Sequence, residues 1–345
     1  AAIKKDIKDL DCATLARWLG DAGEATYRAD QILRWVYRDQ VDRFEAMTNL
    51  KKDLRQQMAA TFEIRRSKTL ARQTASDGTR KFLFELADGE RIESVLIPEK
   101  DHFTLCLSTQ VGCAQDCRFC LTASGGFRRN LSQGEILAQV RDIRAGLDRP
   151  ERLTNIVFMG MGEPLANYRN LIGAIRLLED KRFGFGFSKR KITVSTAGLV
   201  PRLADLGRDT DIGLAVSLNA TDNATRSRLM PINRRYPLEV LLEACRRYPL
   251  APRRRITFEY ILLKGINDSA VDARRLADLL RPIRAKINLI AFNEHAASPF
   301  RGPPEETVRA FQKILIERHY TAIIRHSKGR EISAACGQLR AGSPD

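Results

Sequence analysis

The chain has 345 residues and 43% apolar content, enough for one large or two modest domains with a sizeable core and too apolar for a disordered polymer. Lys and Arg number 58 against 42 acids, a formal charge of +16, which points to a polyanionic partner. No apolar run reaches the ~18 residues of a membrane span, the N-terminus AAIKKDIKDLDCATL carries no signal-peptide core, and seven cysteines make a poor disulfide framework, so a reducing cytoplasm is the expected setting.

Residues 1–64 are expected to form a helical module. Asp11 caps a helix through Leu19, with Ala13, Leu15, Ala16 and Leu19 at helical spacing. A second helix spans Tyr27 to Gln40, with Ile32, Leu33, Val36 and Tyr37 on its apolar side and Arg28, Arg34 and Arg38 opposite. A third covers about Leu50 to Thr61. The basic, partly aromatic face suits RNA phosphates; a packing module with solvated arginines reads the same way.

Residues 65–98 predict a small antiparallel meander. SKTLARQT, RKFLFEL and RIESVLIP are strand-like runs with turns at Asp77-Gly78 and Asp88-Gly89. Glu93 sits inside the third run, and by pattern alone it faces solvent.

From 99 to 320, strands and helices alternate. Strands are expected near 103–109, 153–159, 190–196, 211–218, 255–263 and 285–292. Helices are expected near 132–147, 168–180, 199–207, 237–247, 269–280 and 304–318, the first opened by a Ser132/Glu135 capping box. Such alternation implies an α/β fold with a parallel sheet and crossover helices. Six units fall short of a closed eight-stranded barrel, so the expected core is a partial (β/α)6 TIM-like barrel. The segment 321–345 departs from the pattern.

The densest chemistry is LCLSTQVGCAQDCRFC, residues 105–120. Cys113, Cys117 and Cys120 form C-x3-C-x2-C on a loop following a strand, and Cys106 lies seven residues upstream. Three thiolates cannot complete a tetrahedral zinc site, and an ordinary 4Fe–4S cluster takes four. With three, one iron keeps an open position for a small chelating molecule. A zinc knuckle borrowing Cys106 or a distant cysteine is the competing reading.

Small polar residues follow the other strands: Gly162 and Glu163, Ser195, Ser217-Leu218-Asn219, and Asn293. Together they suit a polar, zwitterionic, nucleoside-like ligand. In the tail, Cys336 stands among small residues in Ser333-Ala334-Ala335-Cys336-Gly337-Gln338, open enough to be a nucleophile. Cys12 and Cys245 read as inert thiols, and the four histidines have no paired ligand spacing. Basic residues clump at Arg65-Arg66, Arg128-Arg129, Lys189-Arg190-Lys191, Arg234-Arg235 and Arg253-Arg254-Arg255, which favours nucleic acid as the partner.

LCLSTQVGCAQDCRFC, FMGMGEPLANY, ITVSTAGL, SLNA, LIAFNEH and the terminal AACGQL together resemble the RlmN/Cfr family of radical S-adenosylmethionine (SAM) RNA methyltransferases, over nearly the whole chain and with the RlmN branch as the better match. The resemblance implies that Cys113, Cys117 and Cys120 hold a 4Fe–4S cluster. It implies that Gly162, Glu163, Ser195, Ser217, Leu218, Asn219 and Asn293 contact SAM. Cys336 is then the methyl carrier, Cys106 its partner in proton removal and a disulfide, and Glu93 a proton acceptor. The implied reaction methylates C2 of adenosine 2503 in 23S rRNA and of adenosine 37 in tRNA, through a methylcysteine and a covalent protein–RNA adduct. Methylation at C8 of the same rRNA base is the Cfr-type alternative. An external electron donor, such as flavodoxin or a similar reductase system, is also implied, with a monomer as the default state.

Overall fold

A computed structural model describes residues 4–295 and 297–342. The outermost residues of the expected N-terminal and C-terminal segments lie outside that range.

The N-terminal module is framed by β1 (Lys5–Asp6) and β2 (Phe62–Glu63), which pair in parallel. Between them run α1 (Cys12–Asp21), α2 (Arg28–Tyr37) and α3 (Lys52–Thr61). Asp11 caps α1 by accepting the Thr14 N–H at 2.7 Å. In α2, Ile32, Leu33, Val36 and Tyr37 are fully buried while Arg34 and Arg38 are exposed, as the helical spacing predicts. Arg28 is half-buried and paired with Glu24 at 3.1 Å.

The meander forms β3 (Lys68–Thr74), β4 (Arg80–Glu85) and β5 (Arg91–Pro98). Strand β5 pairs antiparallel with β6 (Phe103–Cys106), the first barrel strand. A short hairpin of β7 (Gln110–Gly112) and β8 (Phe127–Asn130) follows, with α4 (Leu121–Ser124) inside its loop. The alternating core then runs through α5 (Gln133–Ala145), β9 (Leu153–Phe158), α6 (Tyr168–Glu179), β10 (Ile192–Thr196), α7 (Leu203–Asp209) and β11 (Gly213–Ser217). It continues with α8 (Asn223–Leu229), α9 (Leu238–Arg246), β12 (Ile256–Leu262), α10 (Ala270–Leu280), β13 (Ala285–Ala291), α11 (Glu305–Glu317) and β14 (Ala322–Ile324). Among the described residues the main sheet has the order β14-β13-β12-β11-β10-β9-β6-β5-β4-β3. Within it, β6 and β9 through β14 are parallel, and the meander extends them antiparallel.

All six expected barrel strands are present, and the Ser132/Glu135 capping box opens α5. Three local features depart from the sequence expectation. Strand β6 ends at Cys106, not Thr109, because the chain turns there to bond the loop after β9. The Met161 carbonyl accepts N–H groups from Thr109 at 2.8 Å and Gln110 at 3.2 Å. Strand β14 is a seventh parallel strand of only three residues, too short to show a period. Helix α8 is short and mostly polar, so its segment carries no apolar stripe.

The module docks on the barrel through a buried cation. Arg141 of α5 is fully buried and donates to the carbonyls of Val36, Gln40 and Val41 and to the Asp42 carboxylate. Gly112 marks the tightest point of the hairpin. Its φ is +72°, and an added Cβ would lie 1.8 Å from the Gly126 carbonyl oxygen. We expect Gly112→Ala to open the hairpin, so that the Cys113 amide, bonded to the Gly126 carbonyl, exchanges hydrogen at least about tenfold faster.

Candidate active site

The hairpin pinches the loop that carries the three clustered thiols. Cys113 N–H donates to the Gly126 carbonyl at 2.9 Å, Cys120 N–H to Cys117 at 3.1 Å, and Arg118 N–H to Leu229 at 3.0 Å. Cys113, Cys117 and Cys120 line one cavity of about 150 Å³ at the ends of the barrel strands. Burial pushes the Cys113 thiol up to about 12 and holds Cys117 well above its ordinary value. Only a nearby cation would ionise thiols so placed, and metal binding does this. Three thiols would hold three irons of a 4Fe–4S cluster and leave one without a protein ligand, whereas a structural zinc site would need a fourth protein ligand.

The same cavity gathers Gly162, Glu163, Ser195 and Ser217 from the ends of β9, β10 and β11. Gly162 has φ +98°, and a Cβ there would meet the Gln110 side chain at 2.4 Å. Glu163 is buried, and burial raises its carboxyl above the usual range. Its oxygens accept N–H groups from Ala197 at 2.7 Å and Leu165 at 3.1 Å, which leaves lone pairs for an ammonium group. Leu218, Asn219 and Asn293 are not among the residues that line this cavity. Leu218 is fully buried. Asn219 has φ +59° and accepts the Ile261 N–H at 2.8 Å, fixing the loop after β11. Asn293 donates to the Cys336 carbonyl at 3.2 Å and accepts from Arg330 at 3.1 Å.

The tail brings Cys336 to this cavity. Leu121 N–H donates to the Gly337 carbonyl at 2.7 Å, and the Thr122 hydroxyl donates to the Leu339 carbonyl at 2.6 Å. Cys336 is exposed, but it lines the thiol cavity and also a second cavity of about 550 Å³ inside the barrel. Cys106, 7% exposed, lines that second cavity. Burial raises the Cys106 thiol and Cys336 opposes its ionisation; the Cys336 residue is solvent-exposed, but the surrounding cavity wall desolvates its thiol, which is also raised, with Glu259 opposing its ionisation. All seven cysteines are free thiols.

Glu93 does not face solvent, contrary to its strand pattern. It is buried, pairs with Lys81 at 3.1 Å, and accepts the N–H groups of Arg340 at 2.8 Å and Ala341 at 3.2 Å.

Two residues escaped sequence reasoning. Glu259, mid-strand in β12, lines both cavities and accepts from Asn288 at 2.9 Å. A lone acid in the apolar run ITFEYIL was its only signal. Arg226 is fully buried and donates to the carbonyls of Leu218, Ala197 and Ser217 and to Asn233. Burial lowers it to about 10, and the neighbouring Cys117 opposes that shift. Arg226→Ala would strand these acceptors, at about 1–3 kcal/mol each where water cannot enter. We expect a fall of at least about 3 kcal/mol in denaturant-derived stability.

The basic clumps do not all remain available. Arg129 is bonded to Glu135 at 2.8 Å and Asp88 at 2.6 Å, so its charge is already matched. Arg128 and Phe127, beside the thiol loop, are exposed. No helix among the described residues is long and apolar enough to cross a membrane.

Residues 5–64 match the ribosomal RNA large subunit methyltransferase N-terminal domain, and residues 107–277 match the radical SAM superfamily. The chain is 56% identical to the dual-specificity RNA methyltransferase RlmN of Desulfosudis oleivorans over 99% of its length and 92% of that protein's. It is 50% identical to the same-named protein of Geotalea uraniireducens, over 98% of this chain and 97% of that one. A crystal structure of a radical SAM methyltransferase from Sphaerobacter thermophilus superposes with a TM-score of 0.92 at 44% identity, covering 98% of this chain and all of that one. The chain thus belongs to the radical SAM RNA methyltransferase family, among relatives that carry the name RlmN.

Proposed function

We propose that this enzyme methylates C2 of adenosine in RNA, at position 2503 of 23S rRNA and position 37 of tRNA, with Cys336 as the methyl carrier. The observation that carries the reading is the shared cavity: Cys336 lines it together with the three clustered thiols, and Cys106 lines the adjoining space.

Adenine C2 is electron-poor and does not attack the methyl group of SAM. A thiolate does, and Cys336 is the open thiol in the site. Cys113, Cys117 and Cys120 would hold a 4Fe–4S cluster, with Gly162, Glu163, Ser195 and Ser217 around SAM and Leu218, Asn219 and Asn293 fixing neighbouring backbone. When bound, the cluster supplies the electron that turns SAM into a hydrogen-abstracting radical. The methyl carbon on Cys336 gives up one hydrogen atom to that radical and bonds C2, which joins the protein to RNA, and the adduct's unpaired electron passes to the external redox system. Cys106, as thiolate, takes the C2 proton; its sulfur then closes on Cys336 as the carbon–sulfur bond breaks, and the proton it took passes to the released carbon to restore the methyl group. An external electron donor, a flavodoxin or similar reductase system, reopens the disulfide. Between Cys106 and Glu93, the geometry favours Cys106 for the proton, because both Glu93 oxygens already have partners.

RNA entry requires the adenine to leave its stack, at a cost of a few kcal/mol. Exposed Arg34, Arg38 and Arg128 offer phosphate contacts, and exposed Phe127 and Tyr27 offer stacking surfaces. We expect Arg34→Ala with Arg38→Ala to weaken RNA binding about tenfold and to flatten its salt dependence by roughly one to two units of slope. A reducing cytoplasm and a monomeric state complete the reading. Its test is mass spectrometry of methylated adenosines in 23S rRNA and tRNA from cells lacking or expressing this chain. 2-Methyladenosine that depends on the chain is expected; 8-methyladenosine in its place would contradict the regiochemistry.

A further inference from the structure

The segment after β14 does not simply hang from the barrel. It leaves the β14 edge and crosses the open side to the meander. Lys328 donates to the Pro98 carbonyl at 2.5 Å, and Gly329 N–H donates to Asp77 at 2.9 Å. Glu331 accepts the Ser76 N–H in the same turn. Past Cys336 the strap is bonded to the thiol loop through Gly337 and Leu339. Its last bonds are to Glu93, whose Oε2 accepts from both Arg340 and Ala341. Cys336 is therefore suspended between two anchored stretches.

We propose that Glu93, held by Lys81, is a positioning residue that clasps the end of this strap and so fixes where the Cys336 sulfur points. Three observations carry the assignment. Glu93 is 5% exposed, so its carboxylate oxygens must find hydrogen-bond partners within the protein. Its Oε1 is 3.1 Å from Lys81 Nζ, and its Oε2 takes two backbone N–H groups four and five residues beyond Cys336. It lines neither of the two cavities that Cys336 lines. A carboxylate bonded to two consecutive N–H groups is a directional anchor for backbone. The clasp deepens the methyl-carrier reading and rests on it.

Two variants separate the clasp from a proton-transfer role. Glu93→Ala removes both anchors. Glu93→Gln with Lys81→Met keeps a carbonyl oxygen for the two N–H groups and removes the ammonium that the new amide would face. In Glu93→Ala we expect the Arg340 and Ala341 amides to exchange hydrogen at least about tenfold faster, since local opening then breaks fewer bonds. Labelled methyl uptake by Cys336 should fall about as much, with no protein–RNA adduct building up on denaturing gels. The double variant should keep both quantities within about threefold of the parent. Retained absorbance near 400 nm shows that the fold and thiol loop are intact. The clasp is overturned if Glu93→Ala takes up methyl at the parent rate, with or without trapped RNA adduct, or if its Arg340 and Ala341 amides exchange no faster. If the parent itself takes no methyl on Cys336, the carrier reading fails, while the exchange measurement still decides the clasp.

Discussion

Cys336→Ala is expected to lose RNA methylation by about a thousandfold or more, the order of effect for removing a covalent nucleophile. The loss should occur without loss of fold. Cys336 sits in a tail loop, exposed toward the cavity, and no side-chain hydrogen bond to it is seen among the described residues. Truncating its thiol empties little core volume, so stability should change by less than about 1 kcal/mol. The thiol loop is held by its own hairpin and by Arg118, so the variant should still reconstitute a brown protein. It should take up no methyl from labelled SAM and form no adduct with RNA. Ordinary turnover by this variant would remove Cys336 from the reaction. Loss of colour along with activity would show that the substitution acts on the fold instead.

Cys106→Ala should arrest the reaction one stage later. Cys106 is buried at the end of β6, in register with Val95 of β5 and Val157 of β9. The change removes one sulfur from a packed strand, costing about 1 kcal/mol, while the cavity shared with Cys336 remains. Methyl uptake by Cys336 needs nothing from Cys106, so that step should proceed. Release does need it, because the C2 proton and the Cys336–carbon bond then have no acceptor. The expected result is protein shifted by the mass of RNA on a denaturing gel, in a yield approaching one adduct per Cys336. Burial and the neighbouring Cys336 hold the Cys106 thiol above its ordinary value in the RNA-free protein, so taking the C2 proton requires Cys106 to be deprotonated first. Adduct-free RNA together with methylated Cys336 would point to a different group for release.

Much of this could be read from the chain itself, for local reasons. The three thiols announce themselves because their spacing lies within one loop. The six barrel strands are visible because apolar residues recur in each over a short stretch, and α5 because its capping box is contained in four residues. What stayed hidden depends on partners distant in sequence. Glu93 looks like a solvent-facing strand residue until Arg340 and Ala341 arrive from the other end of the chain. Arg129 looks like a phosphate ligand until Asp88 and Glu135 are seen around it. Arg226 and Glu259 are charges in the core, which no amphipathic pattern predicts; backbone carbonyls satisfy the first and Asn288 the second. The strap is the largest omission. Its three-residue strand is too short to carry a period, and its contacts run to the meander and the thiol loop.

The most direct measurement is a label chase. The reconstituted protein is given SAM with a deuterated methyl group, then a reductant and RNA, and the peptide containing Cys336 is followed by mass spectrometry alongside the adenosines. The account predicts that deuterium appears first on the Cys336 sulfur and moves from there to C2 of adenosine when unlabelled SAM follows. Deuterium that reaches RNA while Cys336 stays unmodified at every time point would contradict it.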